Sequence, residues 1–168
     1  HENGKIHGLS IYSNNKFRNG ITYRADGTLE YYRAYNYHEE LMYIIWYDSL
    51  GNPIKYDGHP IYSWIQEKEY PLNKEFGVEL LVADPPNRKT EVTVSDWNIA
   101  KRQAENEKVY TPDEFNRVIY SRKQNPEKDL YILHIARIQD TVTQTTLSDT
   151  LVIKVAKDGK SSYTRGLP

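Results

Sequence analysis

Histidine and carboxylate side chains are the residues of this chain that could bind a metal. The densest group is HEE at residues 38–40, but the zinc-protease pattern H-E-x-x-H would need a histidine where the sequence has Met42. His7, His38 and His59 could still meet in a folded sheet, and with nearby glutamates they are ligand types that a divalent metal accepts. Scattered surface histidines are common, so we favour that interpretation and predict no metal site.

Other catalytic patterns find no support in the sequence. No serine lies in a G-x-S-x-G turn, and neither G-x-x-x-x-G-K-[ST] nor G-x-G-x-x-G occurs. Asp113 and Glu114 follow Pro112, where acidic residues favour the first turn of a helix. His134 falls within a strand pattern, and we expect it to be partly exposed on the face opposite Tyr131 and its alternating neighbours. We therefore predict a non-catalytic chain without a cofactor.

Aromatic residues are the stronger candidates for binding. Tyrosine is the unusual count, with 15 Tyr against 3 Phe and 3 Trp, and tyrosine packs its ring while its hydroxyl stays hydrated. The candidate binding residues are Tyr31, Tyr35, Tyr43, Trp46 and Tyr47. On alternating strands about half of such rings must point away from the core, where they could bind a protein or a glycan. The alternative is that they only stack across strands and stabilise a thin sheet.

Bulk composition narrows the classes of protein further. The chain has 168 residues, 22 basic and 23 acidic side chains and a net charge of -1 without charged blocks, so we expect no nucleic-acid partner. No apolar run approaches the roughly 20 residues that span a bilayer, so we expect no transmembrane segment. Because the chain begins at His1 rather than Met, we expect it to be a processed form or a piece of a longer protein.

A repeat organises the first half of the chain. ITYRADGTLEYY at residues 21–32 aligns with IWYDSLGNPIKY at residues 45–56, which places Tyr23 and Tyr47 24 residues apart, like Gly27 and Gly51. The pattern predicts a strand, a tight turn at the glycine and a returning strand. Asp26-Gly27 favours a type I′ turn, and Asn14-Asn15 could form the turn of a weaker copy.

These segments resemble MORN-type repeats, in the variant of bacterial antitoxin-like and envelope proteins, over residues 8 to 62. WYDSLGN at residues 46–52 also resembles the YD repeats of large secreted shell-forming proteins. Either resemblance implies a scaffold or interaction surface rather than a reaction.

The second half has the pattern of a β-sandwich. Strands are predicted in five segments, separated by turn signals: residues 76–82, 90–94, 118–120, 129–138 and 149–155. Residues 100–108, AKRQAENEK, favour a helix or a charged loop. The strands at 130–138 and 151–155 resemble the final pair of immunoglobulin-like modules in bacterial surface proteins.

The sequence therefore predicts an all-β fold in which an N-terminal sheet of repeated β-hairpins precedes an immunoglobulin-like β-sandwich. We place the domain boundary between residues 70 and 71, giving domains 1–70 and 71–168, since the tyrosine content falls there. The predicted function is a non-catalytic interaction or scaffolding module of a bacterial cell-envelope or secreted protein. A protein is the expected partner. The alternatives are a carbohydrate-binding module using exposed Tyr and Trp, and a metal-dependent hydrolase.

Overall fold

The chain consists of β-strands joined by turns. In the computed structural model, residues 1–63, 75–123, 126–141 and 143–167 are described, and within these ranges no helix occurs. The predicted all-β fold is confirmed. The strands are β1 (Gly8–Ser13), β2 (Lys16–Tyr23), β3 (Leu29–Tyr35), β4 (Leu41–Tyr47), β5 (Pro53–Gly58), β6 (Ile61–Ser63), β7 (Glu75–Val82), β8 (Arg88–Asn98), β9 (Gln103–Tyr110), β10 (Arg117–Lys123), β11 (Leu130–Asp140), β12 (Thr146–Val155) and β13 (Ser161–Arg165).

Strands β1 to β5 form an antiparallel sheet in sequence order, which we call the meander sheet. Each of its four ladders contains one irregularity in register, where one strand carries an extra residue. The extra residues are Arg18, Glu30, Met42 and Ile54, which are spaced by 12 positions. The structural unit is therefore one strand and one turn, and the 24-residue repeat of the sequence contains two such units.

Three of the four turns of the meander sheet share one geometry. In residues 24–28, 36–40 and 48–52 the first N–H donates to the fifth carbonyl, and the fourth N–H donates back to the first carbonyl. The fourth residues are Gly27, Glu39 and Gly51, and all have positive φ. Asp26 has no positive φ, so the predicted type I′ turn at Asp26-Gly27 is wrong; the loop is longer and needs only one left-handed residue. Asn14 and Asn15 both have positive φ, as a two-residue hairpin turn requires.

The second half forms a β-sandwich. A three-stranded sheet in the order β10-β7-β6 faces a C-terminal sheet in the order β13-β12-β11-β8-β9. Alternate side chains of both sheets meet in one apolar core, which includes Leu80, Ile132 and Leu151. The predicted pairing of residues 130–138 with 151–155 is confirmed, because β11 pairs with β12 over this length. The likeness to immunoglobulin modules stays a prediction.

Two local predictions in the second half are wrong. Residues 103–110 form edge strand β9 rather than a helix or loop, because pairing with β8 supplies the backbone hydrogen bonds while the other edge stays in water. Asp113 lies in a turn rather than a helix: its carboxylate accepts bonds from the N–H groups of Phe115 and Arg117.

The meander sheet packs against the sandwich through a second apolar cluster. Tyr32, Tyr43 and Ile45 of the meander sheet are buried together with Leu81 of β7 and Ile138 of β11. The predicted domain boundary at residues 70 and 71 lies outside the described residues and stays a prediction.

A polar contact at Tyr32 fixes this packing. Its hydroxyl donates to Asn19 Oδ1 (2.9 Å) and accepts from the Asp84 N–H (2.9 Å) and from Asn116 Nδ2 (3.0 Å). Burial raises the pKa of the Tyr32 hydroxyl, which therefore stays protonated. One buried side chain thus positions the meander sheet on the sandwich and leaves the opposite face of the sheet, here called the outer face, directed away from the core.

Candidate functional site

Half-buried rings and two cations line the outer face of the meander sheet. Tyr31 of β3 lies opposite Trp46 of β4, and Trp46 lies opposite Lys55 of β5. Side chains that are paired across neighbouring strands point to the same face. Arg33 and Tyr35 continue the row along β3 at alternate positions, which share a face. We call these five residues the aromatic–cationic surface.

Contacts within this surface hold its cations on the rings. The guanidinium carbon of Arg33 lies 4.9 Å from the ring centre of Tyr31 and 6.0 Å from that of Tyr35. The Lys55 ammonium lies 4.7 Å from the ring centre of Trp46. A cation within about 6 Å of a ring face is attracted by the ring's quadrupole. The rings therefore hold both cations in defined positions at a surface that water reaches.

The charge of Arg33 has no ion-pair partner in the part of the chain that the structure describes. Its Nε–H, which is buried, has no hydrogen-bond partner within the described residues. Gly20 lies directly opposite Arg33 on β2, and a Cβ atom there would lie 3.0 Å from the Phe17 ring and 3.6 Å from Arg33 Nη2. A side chain at position 20 would therefore crowd the Phe17 ring, whereas the Arg33 guanidinium would be at ordinary contact distance. A guanidinium whose charge is not neutralised within the chain can bind a carboxylate of a partner.

Two of the predicted binding residues lie elsewhere. Tyr43 and Tyr47 are only 1% and 3% exposed, because they alternate with Trp46 on β4 and so point to the inner face, against the sandwich. They therefore do not belong to the exposed surface. Tyr31, Tyr35 and Trp46 do share the outer face. Sequence reasoning missed Arg33 and Lys55, although Arg33 follows Tyr31 by two positions and must share its face.

The three histidines of the metal alternative do not converge. His7 precedes β1 and its carbonyl accepts the Tyr23 N–H beside the turn at residues 24–28, whereas His38 lies in the turn at residues 36–40, at the opposite end of the meander sheet. His59 follows β5 and lies 3.5 Å from Asp149. Among the described residues no group of three or more His, Asp or Glu side chains is placed to hold a metal ion.

His134 is fully buried, and the prediction that it would be partly exposed is wrong. It lies on the face opposite Tyr131 as expected, but that face is the sandwich interior. Its Nδ1–H donates to the Leu151 carbonyl (3.1 Å), and its Nε2 accepts from the Tyr120 hydroxyl. Burial, aided by the charge of Arg122, lowers the pKa of His134 to about 4. The pair resembles an acid–base couple, but no substrate could reach it.

A polar cleft of about 530 Å³ opens where the turn at residues 48–52 meets the sandwich. Arg88 and Asp140 line this cleft and form an ion pair of 2.8 Å, with 8% and 10% of their side chains exposed. Asp140 also accepts the Thr143 N–H. These charges neutralise each other, so they explain the junction between the sheets without a ligand.

Comparisons with models of known families, with curated proteins and with solved structures find no match to this chain. The resemblance of its hairpins to MORN-type and YD repeats therefore stays a prediction from the residues alone. Across the described ranges no helix is long and apolar enough to span a membrane.

Proposed function

We propose that this chain is a non-catalytic interaction or scaffolding module that binds a protein partner through the aromatic–cationic surface. The observation that carries the proposal is the position of two cations on outer-face rings, Arg33 against Tyr31 and Tyr35 and Lys55 against Trp46. Tyr, Trp and Arg are the residues that contribute most binding energy in protein interfaces. Because the rings already order the guanidinium, little side-chain entropy is lost when a partner's carboxylate binds.

A protein partner fits this surface better than a glycan. Sugars bind by stacking on open ring faces, but here Arg33 covers Tyr31 and Lys55 covers Trp46. A sugar would have to displace these cations from the rings. A carboxylate can instead approach the cations directly and leave the ring contacts intact. Glycan binding therefore remains the alternative, and its test is retention on polysaccharide.

Placement in a bacterial cell envelope or among secreted proteins is part of the proposal. It follows from the resemblance of residues 8 to 62 to repeats of envelope and secreted proteins. An export signal in the full-length reading frame, or the chain's recovery in the envelope or culture medium after cell fractionation, would support this placement. Recovery only in the cytoplasm would contradict it.

Partner capture by matched variants tests the proposed function. Arg33→Ala and Trp46→Ala should each lose a discrete partner that the wild-type chain retains from an extract of its source cells. Tyr163→Ala is the control, because Tyr163 is an exposed ring on β13 of the C-terminal sheet. This variant should keep the partner. Capture that survives both surface substitutions would contradict the proposal.

Two other measurements test the alternatives. Retention on polysaccharide that Trp46→Ala abolishes would favour the glycan alternative, and stoichiometric metal after purification without added ions would favour the hydrolase.

A further inference from the structure

Strand β5 forms one edge of the meander sheet, and its side chains are exposed. Among the described strands β5 pairs with β4 only, and Ile54 and Tyr56 are 67% and 59% exposed. Lys55 and Asp57 also lie in exposed positions, on the outer face opposite Trp46 and Ile44. Within the described ranges neither has a partner in an ion pair. The edge therefore carries one cation and one anion, two residues apart, whose charges are not neutralised by an ion pair in the described part of the chain.

The backbone of β5 offers hydrogen bonds at its free side. His59 N–H donates to the Met42 carbonyl. This bond shows which residues of β5 direct their backbone groups towards β4. In an antiparallel ladder every second residue directs both backbone groups to the partner strand. Residues 55 and 57 therefore bond to β4, and the N–H and carbonyl of Tyr56 point away from it. Such unpaired edge groups form a template for another strand.

We propose that β5 pairs antiparallel with β5 of a second copy of this chain, around a two-fold axis at Tyr56. In this register Tyr56 exchanges two backbone hydrogen bonds with its symmetry mate. Lys55 then lies opposite Asp57 of the other copy, and the same contact repeats across the axis. Residues in these non-hydrogen-bonded positions approach most closely, so opposite charges there stabilise the pair.

Charge complementarity identifies the second copy as the occupant. Lysine on an edge strand ordinarily prevents pairing, because a new strand would leave its charge unpaired; the Asp57 of an identical strand removes that cost. Edge strand β10 offers no such match, since its charged residues are Arg117, Arg122 and Lys123. A two-fold contact between identical surfaces also closes on itself and limits assembly to a dimer.

The ends of β5 limit the contact to a short segment. Pro53 lacks an N–H, and Gly58 has φ +81° with its N–H bound to its neighbour's carboxylate, Asp57 Oδ1. A contact this short predicts a weak dimer that forms only at high concentration. The dimer would join two meander sheets and place two aromatic–cationic surfaces on one side, and it does not depend on the partner proposed above.

Charge exchange tests the register. Sedimentation of the wild-type chain should show a monomer–dimer equilibrium in a series reaching millimolar concentration. Lys55→Glu and Asp57→Lys should each raise the dissociation constant about tenfold or more, because two attractive pairs become two like-charge pairs. Mixing the two variants should restore association, since Glu at 55 then faces Lys at 57, and Asp57 faces Lys55. A monomeric wild type, a dimer insensitive to both variants, or a mixture that stays monomeric would overturn the proposal.

Cysteine substitution provides a covalent test. The chain has no cysteine, so Tyr56→Cys places a single thiol beside the two-fold axis. Mild oxidation should link this variant into disulfide dimers much faster than the control Val109→Cys, whose side chain is exposed on edge strand β9. Equal rates of cross-linking for the two variants would contradict pairing through β5.

Discussion

The hydroxyl of Tyr32 accepts a hydrogen bond from the side-chain amide of Asn116, which lies 84 residues later in the chain. The same hydroxyl binds Asn19 in the meander sheet and the Asp84 backbone in the sandwich. The two halves of the chain therefore share one buried hydrogen-bonded centre as well as an apolar cluster. This arrangement predicts that the meander sheet and the sandwich unfold together.

Removing the Tyr32 hydroxyl should lower the free energy of unfolding. Tyr32→Phe leaves two buried donors and one acceptor without their partner, and each unsatisfied group costs about 1–3 kcal/mol. Tyr31→Phe is the matched control, because this neighbouring hydroxyl lies on the outer face, and its substitution should change stability by less than about 0.5 kcal/mol. Urea unfolding measures both values, and equal values would contradict a structural role for the Tyr32 hydroxyl.

Two glycines with similar backbone angles should respond differently to alanine. Gly51 and Gly58 have φ of +84° and +81°. No atom of the described ranges would lie within 4 Å of a Cβ at Gly51, whereas a Cβ at Gly58 would lie 2.2 Å from the Met42 carbonyl oxygen. Gly51→Ala carries only the left-handed penalty of about 1–2 kcal/mol. Gly58→Ala must also displace backbone, so it should cost clearly more in thermal or urea unfolding. Equal costs would show that the chain relaxes freely at Gly58.

Stability should fall as the pH is lowered from about 6.5 to 4. The folded chain keeps His134 neutral until about pH 4, whereas the unfolded chain takes up this proton near the usual pKa of 6.5. The unfolded state therefore binds more protons in this window, and acid favours unfolding by on the order of 3 kcal/mol. Urea unfolding across this pH range should show the loss, and His134→Gln should flatten it. His38→Gln, in an exposed turn, should leave it unchanged; persistence of the full loss in His134→Gln would contradict the assignment.

The buried ion pair between Arg88 and Asp140 should show strong coupling. Arg88→Met leaves the Asp140 carboxylate buried without its cation, which costs about 3–5 kcal/mol. Adding Asp140→Asn removes that charge and should recover much of the loss. The control is the exposed pair of Lys89 and Glu91, 2.7 Å apart. The coupling free energy of this pair, measured in a double-mutant cycle of its own, should be below about 1 kcal/mol. Similar coupling for both pairs would contradict this account.

Alternation and turn chemistry were sufficient to predict the class of fold and most strands. Gly27 and Gly51 mark turns, as predicted, and the alternating runs of the second half are strands of a sandwich. The sequence suggested a 24-residue period because Tyr23 and Tyr47 both face inward. The actual step of 12 residues was not visible in the sequence. Tyr35 lies 12 residues after Tyr23 and 12 before Tyr47, but it faces outward because the strand direction reverses at each step.

The remaining features depended on contacts between distant segments. Alternation placed His134 opposite Tyr131, but only the packing of the second sheet decides which face is the interior. The residues of β9 have helix-forming side chains, and pairing with β8 overrides that preference. The candidate binding residues were divided between two faces because Tyr43 and Tyr47 stand at odd spacings from Trp46 on β4; only the packing of the sandwich decides which of the two faces is buried.

The 12-residue step of the meander sheet, one strand and one turn, limits how related chains can differ in length. Each 12-residue step reverses the strand direction, so adding one step would bring the chain out of the meander sheet at the wrong end to reach β6. Adding 24 residues would restore both the exit point and the inward direction of the tyrosines. Insertions and deletions in this part of a lineage should therefore arise as whole hairpins, and the sheet should keep an odd number of strands.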